Sequence, residues 1–297
     1  MSSLPVCSCL SCPAHPNGPG ASPPRPLACG FYPNSSMTDA QWRVLAPLLP
    51  APGNTTGRGG RPEKHPRRLM LDAIFYVVVG GIAWAALPHD FPPYKTVYGM
   101  FARWARAGAW QRVHDALRDT VRVHEGRDPA PTAAIIDSQS VRGADTVPTR
   151  SRGYDAGKKV NGRKRHIATD TGGLLLAVVV TVAGLQDRDA AHRLLTALRA
   201  RFTTITHVWA DGGYAGRLVR WAALVLRFTV EVVKRTNDLA GFQVLPRRWV
   251  VERTFGWISK HRRCVRDYET RPDHHEAMVH LAMIKVMSRR LARTGDW

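Results

Sequence analysis

Acidic residues are scarce in this sequence of 297 residues. Asp and Glu together number 23 against 43 Lys and Arg, and the formal net charge is +20. This imbalance favours a polyanionic partner, and its spread along the whole chain favours nucleic acid over a membrane surface. The alternative is a solvated basic surface that reflects a general arginine bias. An anionic membrane is less favoured, because no amphipathic segment carries a sustained basic face.

Long apolar runs are also missing. The longest extends from Ala73 to Leu87, is shorter than the roughly 20 residues that a bilayer requires, and is interrupted by Gly80 and Gly81. The N-terminus lacks the basic region followed by an apolar region that marks a signal peptide. The sequence therefore predicts a cytoplasmic protein, in which disulfide bonds are not expected.

Cysteine is nearly absent after the first thirty residues, where only Cys264 remains. Cys264 has no evident catalytic partner in the sequence, so a thiolate nucleophile is not indicated. The four N-terminal cysteines form a weak zinc pattern, because zinc sites usually pair short spacings across two arms. Residues 1–36 are rich in Pro, Gly and Ser and are predicted to be a disordered extension. Met37, just before the first helical pattern, is a candidate natural start.

Residues 37–125 are predicted to form a small all-helical region that binds DNA. Two apolar-periodic segments in it are joined by a connector rich in proline, and such a pair resembles a helix-turn-helix. Lys95 and Thr96, at the start of the second helix, are the candidates for DNA contact. The alternative is an ordinary pair of packed helices.

Residues 126–297 change to an α/β pattern. The order of segments is three strands, then helix, strand, helix, strand and helix, and Thr171-Gly172-Gly173 marks a hairpin between the second and third strands. This order predicts a mixed sheet flanked by helices, with an antiparallel portion.

Three carboxylates in this region are candidates for catalysis. Asp137 and Asp211 each end an apolar strand, and Glu252 lies on the polar side of an amphipathic helix. If the two strands are neighbours, the two aspartates emerge at one edge of the sheet. Converging carboxylates require a cation, and hard oxygen ligands suit Mg²⁺, with Mn²⁺ as the alternative. Two such ions can hydrolyse a phosphodiester without a protein nucleophile. The alternative for Glu252 is a salt-bridged surface residue among arginines.

A basic segment, predicted to be a loop, lies between Val141 and His166. It follows the Asp137 strand directly, so it is expected to hang near the carboxylates and clamp DNA phosphates, the alternative being a solvated loop. The candidate phosphate contacts in it are Lys158, Lys159, Arg163, Lys164 and Arg165. The other acids are assigned to local structure: Asp170 to the hairpin turn, and Asp187 and Asp189 to the cap of the following helix.

Four blocks of the sequence, taken together, resemble a known family. The blocks are IIDSQSV, GYDAGKKVNGRKRHIATDTGG, WADGGYAG and RRWVVERTFGWISKHRR, in that order. They are similar to the transposases of the insertion sequence 5 family, which are DDE transposases with an RNase H-like catalytic core. The resemblance covers about Met37 to the C-terminus. It implies an α/β, RNase H-like fold, with Asp137, Asp211 and Glu252 as a catalytic triad that binds magnesium.

The resemblance also implies partners and a mechanism. It implies cleavage at terminal inverted repeats, strand transfer into target DNA, a homo-oligomer that pairs two element ends, and a bacterial, nucleoid-associated location. Arg248 matches the arginine four residues before the family's glutamate. The family pattern often has a basic residue seven positions after that glutamate; Ser259 stands there instead, so Lys260 or Arg263 is expected to substitute. The alternatives are an RNase H-like nuclease without strand transfer and a catalytically silent DNA-binding protein.

Overall fold

The computed structural model describes residues 32–52, 62–233 and 248–294. Eight helices run through them: α1 (Asp39–Leu45), α2 (Arg67–Gly80), α3 (Tyr94–Arg106), α4 (Ala109–His124), α5 (Asp187–Arg201), α6 (Arg217–Leu226), α7 (Arg248–Ser259) and α8 (Pro272–Thr294). The strands are β1 (Ala133–Arg142), β2 (Gly153–Asp155), β3 (Val160–Thr169), β4 (Leu175–Val182), β5 (His207–Ala210) and β6 (Thr229–Val232). Within the described ranges the chain is thus an α/β protein in which four helices precede the first strand.

The six strands form one mixed sheet. β1 is central: it pairs antiparallel with β3 and parallel with β5, and β6 follows β5 in parallel. β3 in turn pairs antiparallel with β4 and, at its start, with the short β2. The predicted antiparallel portion is therefore the β1–β3–β4 part of the sheet, and β5 and β6 reach their places through helical crossovers.

Helices cover both faces of the sheet, as the alternating apolar residues of its strands require. The face that carries Ala134 and Ile136 of β1 packs on α5 and α6. The opposite face, which carries Ile135, packs on α7 and α8. α8 also packs against α1, α2, α3 and α4, so the N-terminal helices and the sheet share one core. The predicted boundary near residue 126 separates helices from strands along the chain but does not divide that core.

The N-terminal helices differ in detail from the predicted helix-turn-helix. Thr38 caps α1 through a capping box with Gln41, in agreement with the sequence pattern. The connector between α2 and α3 covers residues 81–93, longer than the three or four residues of a helix-turn-helix turn. Lys95 and Thr96 lie in the first turn of α3 and are exposed, as a contact with DNA would require.

The packed chain begins upstream of Met37. Tyr32 stacks on Phe91, with ring centroids 5.3 Å apart, and Ser35 and Ser36 are buried. The carbonyl oxygen of Ser35 accepts a hydrogen bond of 2.5 Å from the buried Nζ of Lys285. Residues 32–36 are therefore part of the folded protein, which corrects the prediction that disorder extends to residue 36. Residues 1–31 of that predicted extension lie outside the described residues.

Stability below neutral pH is expected to depend on His261, which follows α7. Its ring is buried, and its Nδ1 donates to the carbonyl oxygen of Trp257 at 3.1 Å. Burial lowers the pKa of His261 to about 4, although the Trp257 hydrogen bond acts in the opposite direction. The unfolded chain, with an ordinary histidine pKa of about 6.5, therefore binds more protons between pH 6.5 and 4, and folding stability falls as pH drops through that window.

The expected contribution of His261 is roughly 3 kcal/mol, lost between pH 6.5 and 4. The variant His261→Gln cannot titrate, so its unfolding free energy is expected to depend less on pH in this window than that of the unmodified protein. Urea unfolding at several pH values measures both curves. The other buried histidines are common to both proteins and cancel in the difference, and parallel curves would contradict the prediction.

Candidate active site

Asp137 lies on β1 and Asp211 directly follows the neighbouring strand β5. In the parallel pairing of β1 with β5, Ile135 lies opposite Trp209. Each aspartate follows two residues later along its own chain, just past this last pair, and both act on the buried Tyr214, so they lie near each other. β1 continues to Arg142, which corrects the prediction that Asp137 ends its strand. Neighbouring strands are about 4.8 Å apart, and residues two positions apart share a face. That face is the one covered by α7 and α8.

Backbone amides orient both carboxylates. Oδ1 of Asp137 accepts a hydrogen bond of 2.7 Å from the amide of Ser138. Oδ1 of Asp211 accepts one of 2.9 Å from the amide of Gly213, because Asp211 caps the short helical turn that follows β5. A Cβ atom at position 213 would lie 3.1 Å from that same oxygen, which explains why glycine suits this position.

The pKa of a buried tyrosine indicates that negative charge is concentrated around the two aspartates. Tyr214 is fully buried in the turn after Asp211. Its pKa is raised well above the usual value, first by burial and then by the charges of Asp137, Asp187 and Asp211. The phenol therefore stays neutral, and three carboxylates, not two, surround this corner of the sheet.

Glu252 lies on the exposed side of α7, as its helical position predicts. Val250, Val251, Thr254 and Ile258 of the same helix are buried against the sheet. A Cβ atom at Gly256, one turn after Glu252, would have no atom of the described residues within 4 Å.

A hydrogen-bonded link aligns the Glu252 side of α7 with β1. Nη2 of Arg165 donates to Oγ of Ser259 at 3.3 Å, and Nε of the same guanidinium donates to Oε1 of Gln139 at 2.9 Å. Ser259 is two helical turns after Glu252 on one stripe, and Gln139 is two residues after Asp137 on one face. Glu252 and Asp137 therefore belong to surfaces that this link holds together.

The donor set fits a hard divalent cation. Aspartate and glutamate oxygens are the ligands that Mg²⁺ and Mn²⁺ prefer. Within the described ranges, no three His, Cys, Asp or Glu side chains lie close enough to hold one ion together, so Glu252 does not complete a three-residue group with the two aspartates. Residues 234–247, which lead into α7, lie outside those ranges.

Three of the predicted DNA contacts are instead buried in the sheet. Arg163, Lys164 and Arg165 lie in β3 and not in a loop, and at most 5 % of the surface of each residue is exposed. Arg163 pairs with Asp267 at 3.0 Å and also donates to the carbonyl oxygens of Glu269 and Thr270. These contacts correct the prediction for the three residues, because their donors are used inside the protein.

Lys164 and Arg165 have partners on opposite faces of the sheet. Nζ of Lys164 pairs with Asp187 at 3.0 Å and donates to the carbonyl oxygen of Leu185 at 3.0 Å. Besides its link to α7, Arg165 donates to the carbonyl oxygen of Cys264 at 2.9 Å. Since neighbouring residues of a strand point to opposite faces, the two cations secure helices on both sides of β3.

The remaining predicted contacts divide into buried and exposed groups. Arg263 is buried, pairs with Glu269 at 2.8 Å and donates to the carbonyl oxygen of Ile82 at 2.9 Å, so it too is corrected to a structural residue. The exposed residues are Lys95, Thr96, Lys158, Lys159 and Lys260. The side chain of Arg248, at the start of α7, lies outside the described part of the protein.

Asp187 is the site residue that the sequence did not reveal. It was expected to cap α5, but the cap position is Gln186 and no side chain caps the helix. The Asp187 carboxylate contacts β1, where its Oδ1 accepts a hydrogen bond of 2.8 Å from Oγ of Ser138. No sequence signal could have shown this, because a first-turn aspartate usually serves its own helix.

The fold and the site define a class of protein. An antiparallel β1–β3–β4 unit extended by parallel β5 and β6, helices on both faces, and acidic residues on β1 and directly after β5 are the features of RNase H-like enzymes. Family comparison agrees: residues 128–287 match the transposase DDE domain, and residues 37–114 match a putative transposase family of the IS4/5 type. The chain belongs to the IS4/5-family DDE transposases.

Two relatives come from Burkholderia cepacia. An uncharacterized 16.2 kDa protein of insertion element IS402 is 31 % identical over 114 residues, which are 36 % of this chain and 72 % of the relative. A putative transposase for insertion sequence element IS402 is 32 % identical over 142 residues, which are 46 % of this chain and 67 % of the relative.

Family membership establishes the general activity. The protein is an insertion-sequence transposase, an enzyme of the DDE type that acts on DNA and requires a divalent metal ion. None of the helices in residues 32–52, 62–233 and 248–294 has the length and apolarity that crossing a membrane requires.

Proposed function

We propose that Asp137, Asp211 and Glu252 are the catalytic, metal-binding carboxylates of this transposase. The metal is Mg²⁺, with Mn²⁺ as the alternative. The enzyme hydrolyses the 3′ ends of its element at the terminal inverted repeats and joins them to target DNA. The observation that carries this proposal is the placement of one aspartate on β1 and of the other directly after the adjacent parallel strand β5, on the sheet face covered by α7, the helix of Glu252.

Each residue has a definite task in this mechanism. Divalent ions, when bound, would activate the attacking water or 3′-hydroxyl and stabilise the leaving oxygen. Asp137 and Asp211 would hold the metal, in orientations fixed by the amides of Ser138 and Gly213, and Glu252 would supply the third carboxylate.

A covalent protein nucleophile is not needed, and the described residues offer no suitable thiol. Cys264 is fully buried, and burial raises its pKa to about 12, so at neutral pH it remains an inert thiol. This is in line with direct attack on phosphorus by water or by a 3′-hydroxyl.

The exposed lysines are the proposed phosphate contacts near the site. Nζ of Lys158 lies 3.2 Å from the carbonyl oxygen of Ser138, next to Asp137. Lys159 is its exposed neighbour, and Lys260 follows the end of α7. Arg248 is retained as a contact on the family pattern alone. Lys95 and Thr96 on α3 are proposed to hold the terminal repeat away from the reacting phosphate.

Removal of the Lys95 charge is expected to weaken DNA binding to all sequences alike. A lysine that contacts one phosphate releases about one counterion, so Lys95→Ala is expected to reduce the slope of log K against log[salt] by about 1. Fluorescence anisotropy with a labelled duplex at several salt concentrations measures the slope. Arg220→Ala, which removes an exposed cation on α6, is the control. An equal slope for Lys95→Ala and the unmodified protein would exclude Lys95 as a phosphate contact.

The decisive assay is cleavage of inverted-repeat DNA with Mg²⁺, with a search for joined products. The repeats can be sought in the DNA that flanks the gene. Strand-transfer products distinguish a transposase from an RNase H-like nuclease that only cuts. Tight binding without metal and without cleavage would instead favour a silent DNA-binding protein. A change of assembly size on adding two repeat ends would support the proposed pairing of ends by a homo-oligomer.

A further inference from the structure

Asp187 lies behind the Asp137 segment of β1, on the opposite face of the sheet, and near the turn that follows β5. It is the first residue of α5, a helix that packs on β3 and β4. Ser138, next to Asp137 along β1, points to the same face as α5, because neighbouring residues of a strand alternate. The hydrogen bond of 2.8 Å from Oγ of Ser138 to Oδ1 of Asp187 therefore lies on the face of β1 opposite to the Asp137 side chain.

The second carboxylate oxygen of Asp187 lies near the turn after Asp211. A Cβ atom at Gly213 would lie 3.9 Å from Oδ2 of Asp187 and 3.1 Å from Oδ1 of Asp211. The amide of the same glycine donates to Oδ1 of Asp211 at 2.9 Å. One carboxylate thus adjoins both backbone segments whose amides orient the catalytic aspartates.

A buried lysine fixes the Asp187 carboxylate in place. Nζ of Lys164 lies 3.0 Å from Oδ1 of Asp187 and 3.4 Å from Oδ2 of Asp155, and the Lys164 side chain is almost fully buried. Asp155 in turn accepts a hydrogen bond of 2.5 Å from Oγ of Ser140. Two serines of β1, Ser138 and Ser140, are therefore tied through carboxylates to one lysine of β3.

We infer that Asp187 is a positioning residue of the transposase active site: through Ser138 and the Gly213 turn it sets the separation and orientation of Asp137 and Asp211 for binding divalent metal. This inference rests on the proposed function of those two aspartates. Asp187 itself does not contact the metal; it acts through the backbone that carries the ligands. A residue that holds a metal ligand in place commonly changes metal affinity or activity by about 10–100-fold when it is replaced.

The test compares Asp187→Asn with Asp189→Asn in the full chain. Asparagine has nearly the same shape but loses the charge that holds Lys164, whereas Asp189 is an exposed residue of the same helical turn. For Asp187→Asn, the Mg²⁺ concentration that gives half-maximal cleavage of the repeat DNA is expected to rise about tenfold, and Asp189→Asn is expected to match the unmodified protein. The metal-dependent rise in melting temperature, measured without DNA, is expected to need similarly higher Mg²⁺ for Asp187→Asn.

A second variant keeps the inference testable if Asp187→Asn does not fold. Ser138→Ala retains the Lys164–Asp187 pair and removes only the hydroxyl link to β1. Raised Mg²⁺ requirements with an unchanged melting temperature in the absence of metal support positioning. Unchanged Mg²⁺ requirements in both assays overturn it and leave Asp187 as a structural ion pair. Failure of the proposed function looks different, because cleavage would then persist in Asp137→Asn.

Discussion

Cleavage of terminal-repeat DNA is expected to fall at least about a thousandfold when Asp137 is replaced by asparagine. The amide removes one negative charge from the pair formed by Asp137 on β1 and Asp211 after β5, and the bound metal would supply several kcal/mol of transition-state stabilisation, each 1.36 kcal/mol being a factor of ten in rate. The fold is expected to persist, since asparagine can still accept the hydrogen bond from the amide of Ser138. Single-turnover cleavage at saturating Mg²⁺ measures the loss.

The same assay applied to Glu252→Gln tests the third member of the site. Glu252 is exposed on α7, so its replacement is expected to leave the melting temperature unchanged and to remove cleavage alone. Asp145→Asn, in the exposed turn after β1, is the matched control for loss of a carboxylate. Wild-type cleavage by Asp137→Asn or Glu252→Gln would refute the assignment of that residue. Loss of cleavage with both, and retention with Asp145→Asn, would support it.

Arg163→Ala is expected to lower the free energy of unfolding by about 3–5 kcal/mol. The change leaves Asp267, which is fully buried, without the guanidinium that pairs with it at 3.0 Å, and breaking a buried pair from one side carries this cost. It also removes the donors to Ser151, whose Oγ lies 2.6 Å from Nη2 of Arg163, and to the carbonyl oxygens of residues 269 and 270. Urea or thermal unfolding measures the loss.

The same variant separates a structural role from a DNA-contacting role. Arg150→Ala is the control, because Arg150 is an exposed cation in the segment between β1 and β2. It is expected to leave stability nearly unchanged. If Arg163→Ala kept full stability and lost only DNA affinity, the structural role of Arg163 would be refuted. A contact between Arg163 and a DNA phosphate would then be supported instead.

Local patterns were sufficient for much of the fold. Thr38 at the start of α1, the hairpin turn before β4 and the apolar stripe of α7 all act over a few residues, so periodicity and turn chemistry predict them. The aspartates that follow the two apolar runs, Asp137 and Asp211, were readable for the same reason, but β1 continues to Arg142, so Asp137 lies within its strand and not at its end. The sequence could not show that the strands formed by these runs are neighbours in the sheet, because strand order depends on contacts between distant segments.

The basic segment after Asp137 shows where local reasoning fails. Arg163 and Arg165 have the polarity of a solvated loop, yet both lie in β3, the strand next to the centre of the sheet. Arg163 is compensated by Asp267 and Arg165 by Gln139, 104 and 26 residues away in the chain. A charged residue can be buried when partners satisfy it, and such distant partners leave no trace in a local pattern.

By itself the sequence determined the class of partner, the order of helices and strands, and which acids follow apolar runs, because charge balance and hydrophobic periodicity are properties of the chain. The tertiary structure alone decided which cations are exposed. It also brought Asp187 behind Asp137 and joined the N-terminal helices to α8 in one core. These outcomes depend on which distant residues meet, and that is fixed only when the apolar faces pack together.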